Sequence, residues 1–448
     1  MRNVTWTYYG IAFLAVTACL SASADELSEK RSRNWHQWRG PESTGVAPEA
    51  DPPVEWSATK NVKWVARIPG FGKSSPIVWE DKVFLTSAID TGKVVPGVTK
   101  PEDQPERRFD IKFPNTLYRF VVYCLDRNTG KVLWEQTAVE ELPHEGHHGD
   151  NSHASASAMT DGRRLYVSFG SRGMYCYDLN GKKLWEHKLP NVETRLSFGE
   201  GSSPVVHGDT VILVRDNETA STIIAFNAAT GDVRWQKPRV EPSAWATPLI
   251  VEAAGKTQVI TNATNKVRSY ELTTGNLIWE CGGQVANVIP SPTPIGDDVI
   301  CMSGYRGSIA MRLPLDATGD LTGSSKIEWK YEQDTPYVPS PLLVDGRLYF
   351  NKLNNAILTV LDVETGKAVR GPERMQGLQS LYTSPVAAAG RAYFTSREGT
   401  TVVYKLGEGM EVLSTNPLED LIDASAAVVG KQLFLRGKDT LYCFETSA

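Results

Sequence analysis

Residues 144–153 read His-Glu-Gly-His-His-Gly-Asp-Asn-Ser-His and hold four of the chain's seven histidines. Imidazole and carboxylate bind transition metals, so His147, His148 and His153 are candidate ligands for Zn²⁺ or Cu²⁺. The competing reading is a solvated polar loop whose Asn151 and Ser152 cap the strand that follows. The cysteines offer less chemistry. Cys124, Cys176 and Cys443 stand in Tyr-Cys-Leu, Tyr-Cys-Tyr and Tyr-Cys-Phe, one repeated context that reads as buried small side chains. Cys281 and Cys301 form a candidate disulfide between neighbouring elements. The chain is read as lacking a Gly-x-Ser-x-Gly elbow, a His-Glu-x-x-His zinc pair, a Walker loop and a kinase catalytic loop.

The elements that must position these residues announce themselves by repetition. Thr129-Gly130-Lys131-Val132-Leu133-Trp134 returns as Gly181 to Trp185, Thr230 to Trp235 and Thr274 to Trp279, and Thr365-Gly366 keeps the turn with Val369 in place of Trp. A second phrase keeps time with it: Ser75-Pro76, Ser203-Pro204, Thr247-Pro248, Ser291-Pro292, Ser340-Pro341 and Ser384-Pro385, with Ser155-Ala156 and Ser425-Ala426 as degenerate copies. Between them lie β-branched and aromatic runs separated by turn residues, four short strands per unit. A period of roughly 40–50 residues indicates a propeller or related array.

The expected fold is therefore all-β: an eight-bladed β-propeller of four-stranded blades, with seven blades as the alternative. The last unit runs out after three strands, near 424–429, 432–436 and 440–444. Val62-Lys63-Trp64-Val65-Ala66 supplies the missing Trp strand, so the N-terminal strand completes the last blade and closes the ring. The recurring Trp reads as blade-to-blade packing.

This topology sorts the loops. The Ser-Pro steps and the hairpins joining second to third strands share one face, here called the mouth face. Two long insertions, about 89–115 and 137–152, project side by side from it, and the second carries the histidines. The positions two residues before each Ser or Thr should ring the axial funnel; with their neighbours they give Lys73, Glu200, Trp245, Tyr337, Tyr382 and Asp423 as candidate ligand-binding residues. Aromatics mixed with a few charges suit a sugar, a peptide or a flat cofactor.

The chain has 448 residues and a formal net charge of −5, with no basic stripe, which argues against nucleic acid. Residues 1–24 read as a signal peptide: Arg2, an apolar run from Ile11 to Ala18, and Ala22-Ser23-Ala24 for cleavage. The run is short for a transmembrane segment. Val16-Thr17-Ala18-Cys19 offers the alternative of a lipoprotein acylated at Cys19. Residues 25–60 form an extension that wraps the ring through Trp35 and Trp38 or serves as a tether, and 61–448 form the propeller. The product is expected to be exported, periplasmic or extracellular, and monomeric.

The Asp/Asn-x-x-Thr-Gly-x-x-x-Trp phrase, complete from Asp126 to Trp134 and Asn227 to Trp235, resembles the pyrroloquinoline-quinone-like (PQQ-like) propeller repeat over about residues 61–445. The leader Trp35-His36-Gln37-Trp38-Arg39-Gly40-Pro41 is similar to the start of secreted bacterial propellers of this class. The relatives this implies are the outer-membrane barrel assembly lipoprotein (BamB-like) and the quinoprotein alcohol dehydrogenases. The dehydrogenases hold their quinone with adjacent cysteines, and no two of the six cysteines here are neighbours, so PQQ itself is not expected. The expected function is a binding scaffold for a protein or glycan on the mouth face. The alternatives are a quinone- or metal-dependent oxidoreductase of reduced type, and an extracellular sensor or carbohydrate-processing accessory protein.

Overall fold

The computed structural model describes residues 26–446 apart from residue 408; the proposed signal segment 1–24 and Cys19 lie outside the described residues. Eight antiparallel four-stranded sheets make the eight blades, and a short fifth strand, Gly319–Asp320, joins blade 4 in parallel. The chain builds each blade outward from an inner strand, such as Ile77–Trp79, Val205–His207 or Leu342–Val344. Tight turns serve these steps: Asp345 and Gly346 both take positive φ (50° and 69°), the two-residue hairpin geometry that matches strand twist. Val62–Arg67 pairs antiparallel with Thr440–Glu445 as the outer strand of blade 8, so the two ends of the ring are hydrogen-bonded together. No helix among the described residues is long and apolar enough to cross a membrane.

The repeated Trp works as a clamp between blades. Except for Trp279, each indole lies over the Thr-Gly-type glycine of the following blade and donates its N–H to a carbonyl there. Trp134 meets Gly181 and bonds the Leu179 carbonyl at 3.1 Å; Trp235 meets Gly275 and bonds Leu272 at 2.9 Å. Trp64 does the same across the closure, at Gly130 and the Arg127 carbonyl (2.8 Å). Trp329, at the outer strand of blade 5, continues the series on Gly366 and Val363, although an insertion separates it from its turn. A glycine is required because an added Cβ would stand about 2.5–2.7 Å from the ring and the backbone φ is positive.

The Ser-Pro phrase carries a second run of hydrogen bonds from blade to blade near the axis. The backbone N–H of Ser75 donates to the Ser157 hydroxyl (2.9 Å), Ser157 to Ser203 (2.9 Å) and Ser203 to Thr247 (3.1 Å). Ser291, Ser340 and Ser384 hand on in the same way to Ser340, Ser384 and Ser425 (3.0, 2.9 and 2.8 Å). This corrects the sequence register of blade 2: Ser157-Ala158, not Ser155-Ala156, takes the repeat phase. Two Ser-Ala steps stand in tandem there, and only hydrogen bonding distinguishes them.

The extension neither wraps the ring nor trails as a tether. It runs into the axial channel and back out. Val78 and Thr160, on the inner strands of blades 1 and 2, donate their N–H to the carbonyls of Trp35 and His36 (2.9 and 3.0 Å). The Trp38 indole reaches the Ser291 hydroxyl of the serine run at 3.0 Å. Arg39 donates to the carbonyls of Pro341 and Pro385 (2.7 and 2.6 Å), in front of blades 6 and 7. The chain then returns along blade 7, where Val46 bridges Ala387, and Trp56 packs against Tyr393 and Phe444. Trp35 is buried, and burial pushes the Arg39 guanidinium down to about 9. Residues 34–47 are thus a plug for the channel.

All five described cysteines are free and buried. The candidate disulfide Cys281–Cys301 is not formed; both side chains belong to one apolar cluster between blades 4 and 5, where a thiol serves as a small hydrophobe.

Candidate functional site

The plug turns the axial channel into a cup. Its cavity of about 360 Å³ opens on the mouth face, with Trp38 and serines of that run among its lining. Blades contribute to it unequally. Blades 3 to 6 supply an aromatic wall: Phe198 and Trp245 ahead of blades 3 and 4, Tyr305 on a blade 5 hairpin, and Tyr337 ahead of blade 6. The Tyr305 and Tyr337 rings stack at 4.8 Å and 26°. The Trp245 N–H donates to the Gly199 carbonyl at 2.6 Å, which fixes its plane. Phe109, at the tip of the first insertion, overhangs this wall edge-on to Phe198 at 5.4 Å. It is 51% exposed and sits at φ 62°, a conformation that places an aromatic ring at the lip against local preference.

Blades 7, 8 and 1 supply a charged wall. The Lys73 ammonium is 2.6 Å from Asp423, with both side chains more than nine-tenths buried. Arg397, on a blade 7 hairpin, lies 3.1 Å from Asp423 and 2.5 Å from Asp150. Asp150 comes from the second insertion, ahead of blade 2, so that loop reaches over the mouth to blade 7. Its other oxygen accepts from the Tyr382 hydroxyl at 2.9 Å, and the Arg397 guanidinium lies over the Tyr382 ring at 4.4 Å. Burial alone would raise the Asp150 carboxyl, but bonds from Arg397 and Tyr382 outweigh it and hold it below the usual carboxylate value. Burial and the Asp150 charge push the Tyr382 phenol up to about 12. The wall therefore presents Lys73, Asp150 and Asp423 to the cup, with Arg397 behind the two carboxylates, and every one of these charges is paired.

Of the residues proposed from sequence, Lys73, His148, Trp245, Tyr337, Tyr382 and Asp423 meet at the cup. Glu200 does not. It turns into a small neighbouring pocket, where Arg215 binds it at 3.0 Å and the Ser171 amide and hydroxyl each donate at 2.6 Å. His153 is also outside the cup, because the two-residue register shift gives its place to Ser155. It packs edge-on against Tyr118 and His147 (5.4 and 4.7 Å), and burial lowers its imidazole to about 3. His147 binds the neighbouring carbonyl of His148 at 2.9 Å, while His148 faces Phe109 and Phe198. Among the described residues no three His, Cys, Asp or Glu side chains are grouped to hold a metal.

Residues 144–148 do have the His-Glu-x-x-His order of a zinc pair, which corrects the expectation that the chain lacks one. That motif needs a helix to bring both imidazoles to one face. Here the segment is irregular, and the His144 Nε2 is engaged with the Val192 carbonyl at 2.7 Å. Arg397 and Asp150 were also legible only in part: Arg397 as one of several rim charges, Asp150 as a member of the histidine loop.

A polyanionic quinone would be the cofactor suggested by the repeat. The donor set does not fit it. Lys73 lines the cup but is paired with Asp423, Arg397 behind it is paired with Asp150, and the buried cysteines offer no sulfur to the cavity.

The architecture is that of an eight-bladed propeller with a plugged axial cup. The family model described as outer membrane protein assembly factor BamB matches residues 119–372, more than half of the sequence, and the chain belongs to that family. Among solved structures it is similar to a europium-containing methanol dehydrogenase, at 11% identity and a TM-score of 0.64 over 94% of this chain and 100% of that one. A quinohemoprotein alcohol dehydrogenase from Comamonas testosteroni gives 11% identity and 0.60 over 93% and 81%. BamB from Moraxella catarrhalis gives 14% identity and 0.41 over 86% and 99%. At these identities the two dehydrogenases share the fold. A search of curated proteins finds no match.

Proposed function

We propose that this is an exported binding protein that holds a segment of a protein or glycan in the axial cup. The observation that carries the reading is the cup itself: a cavity floored by Trp38, with side chains pinned by the contacts described above. A preformed concave site with aromatic faces and a few fixed polar groups is what ligand sites look like. The family's description as an assembly factor supports binding as the mode of action. An oxidoreductase of reduced type has less behind it, since the charges of the cup are spent on each other.

The test is capture. Wild-type protein and a Trp245→Ala/Tyr337→Ala double variant are immobilised and exposed to solubilised envelope material, proteins and polysaccharides together. The reading expects material retained by the wild type and lost with the variant. Equal retention by both would move the contact away from the cup. Export has its own check: the purified protein should begin at Asp25, and an acylated start at Cys19 would show instead as a lipid mass increment.

A further inference from the structure

We infer that the ligand of the cup is a neutral saccharide, a deepening that rests on the cup being the binding site. The argument is the division between its two walls. Trp245 and Tyr337 line one side with half-buried aromatic rings, Tyr337 backed by the stacked ring of Tyr305. A pyranose ring has an apolar face of C–H groups, which meets the negative face of an aromatic ring favourably. Across the cavity Lys73, Asp423, Asp150 and the Tyr382 hydroxyl form a row of donors and acceptors, with Arg397 behind the two carboxylates. The hydroxyls of a sugar edge are both donors and acceptors, and such a row can bind them from either side. Hydrogen bonds to charged groups are the stronger ones.

Charge selects further. An anionic ligand would face Asp150 and would have to compete with Asp423 for Lys73. Displacement leaves a carboxylate uncompensated, and Asp423 is only 6% exposed. A cationic ligand meets the converse problem. The row therefore favours a ligand without net charge. Peptide backbone is a poorer match. The N–H groups that open the blades at the cup are already given to hydroxyls, as with Ser75 to Ser157 and Ser384 to Ser425, so no free strand edge is offered for pairing. The cavity, about 360 Å³, lies at the small end of ligand sites and suits the end of a chain rather than its middle.

The experiment is calorimetric titration of the full-length mature protein with cellotetraose, maltotetraose and a mannan tetramer as neutral probes, a galacturonate tetramer as anion, and a glucosamine tetramer as cation. At least one neutral probe should bind, with an affinity little changed between low and high salt. Tyr337→Ala should weaken it by about tenfold or more, and Tyr337→Phe, which keeps the ring, by much less. Melting curves equal to wild type establish that the variants are folded. The inference is overturned if no neutral probe binds, if a charged probe binds as well as the neutral ones, or if Tyr337→Ala binds like wild type. Cup-dependent retention of a protein with no saccharide binding would sink this inference and leave the binding reading standing.

Discussion

Glu145 is the residue whose ionisation the fold changes most consequentially. It is buried within the second insertion, with Thr194 donating to it through hydroxyl (2.7 Å) and amide (3.2 Å), and burial pushes its carboxyl up to about 7. A folded-state pKa above the unfolded one contributes stability that is present at low pH and lost as pH rises through about 7. At full effect this is worth up to roughly 3 kcal/mol. Glu145→Gln cannot ionise. Its Tm relative to wild type should therefore rise between about pH 5 and about pH 8, read by thermal melts in matched buffers. A difference independent of pH would contradict the assignment. Little of this was legible beforehand. Glu145 was visible only as part of a histidine cluster, and its burial depends on Thr194, distant in sequence. Lys73, Trp245, Tyr337, Tyr382 and Asp423 were legible, because a propeller repeats position as well as sequence. The same logic misplaced His153 by one Ser-Ala step.

At the scale of the element, the Trp-Gly clamp explains why the Thr-Gly phrase recurs. Gly275→Ala would place a Cβ 2.5 Å from the Trp235 ring and force alanine to φ 69°. Gly208→Ala also needs positive φ (57°) but meets nothing within 4 Å. Both should destabilise, and Gly275→Ala by about 1–3 kcal/mol more, measured as chemical denaturation midpoints. Equal losses would mean that the clamp is slack. Trp279 shows what the repeat omits. It is fully buried, yet its N–H has no partner, because Thr318-Gly319 has left the expected phase and pairs as an added strand on blade 4. The blade count, the closing strand and the two insertions could be read from such phases. The route of residues 34–47 could not, since single hydrogen bonds to inner strands leave no periodic trace.

At the scale of the molecule, the plug makes ring and cup one object. Arg39 ties the channel to the carbonyls ahead of blades 6 and 7 without a carboxylate partner among its hydrogen bonds. Arg39→Ala leaves those carbonyls unpaired and should cost about 2–4 kcal/mol in unfolding free energy. A loss within about 0.5 kcal/mol would show that the plug contributes nothing to the ring. If the cup is the binding site, binding happens at the plugged mouth and not elsewhere on the ring. Hydrogen–deuterium exchange, with and without the material the protein retains, tests it most directly. Protection should fall on residues 148–157, 197–203, 285–291 and 335–340, together with the plug around Trp38. Protection confined to the outer strands or to the opposite face would contradict it.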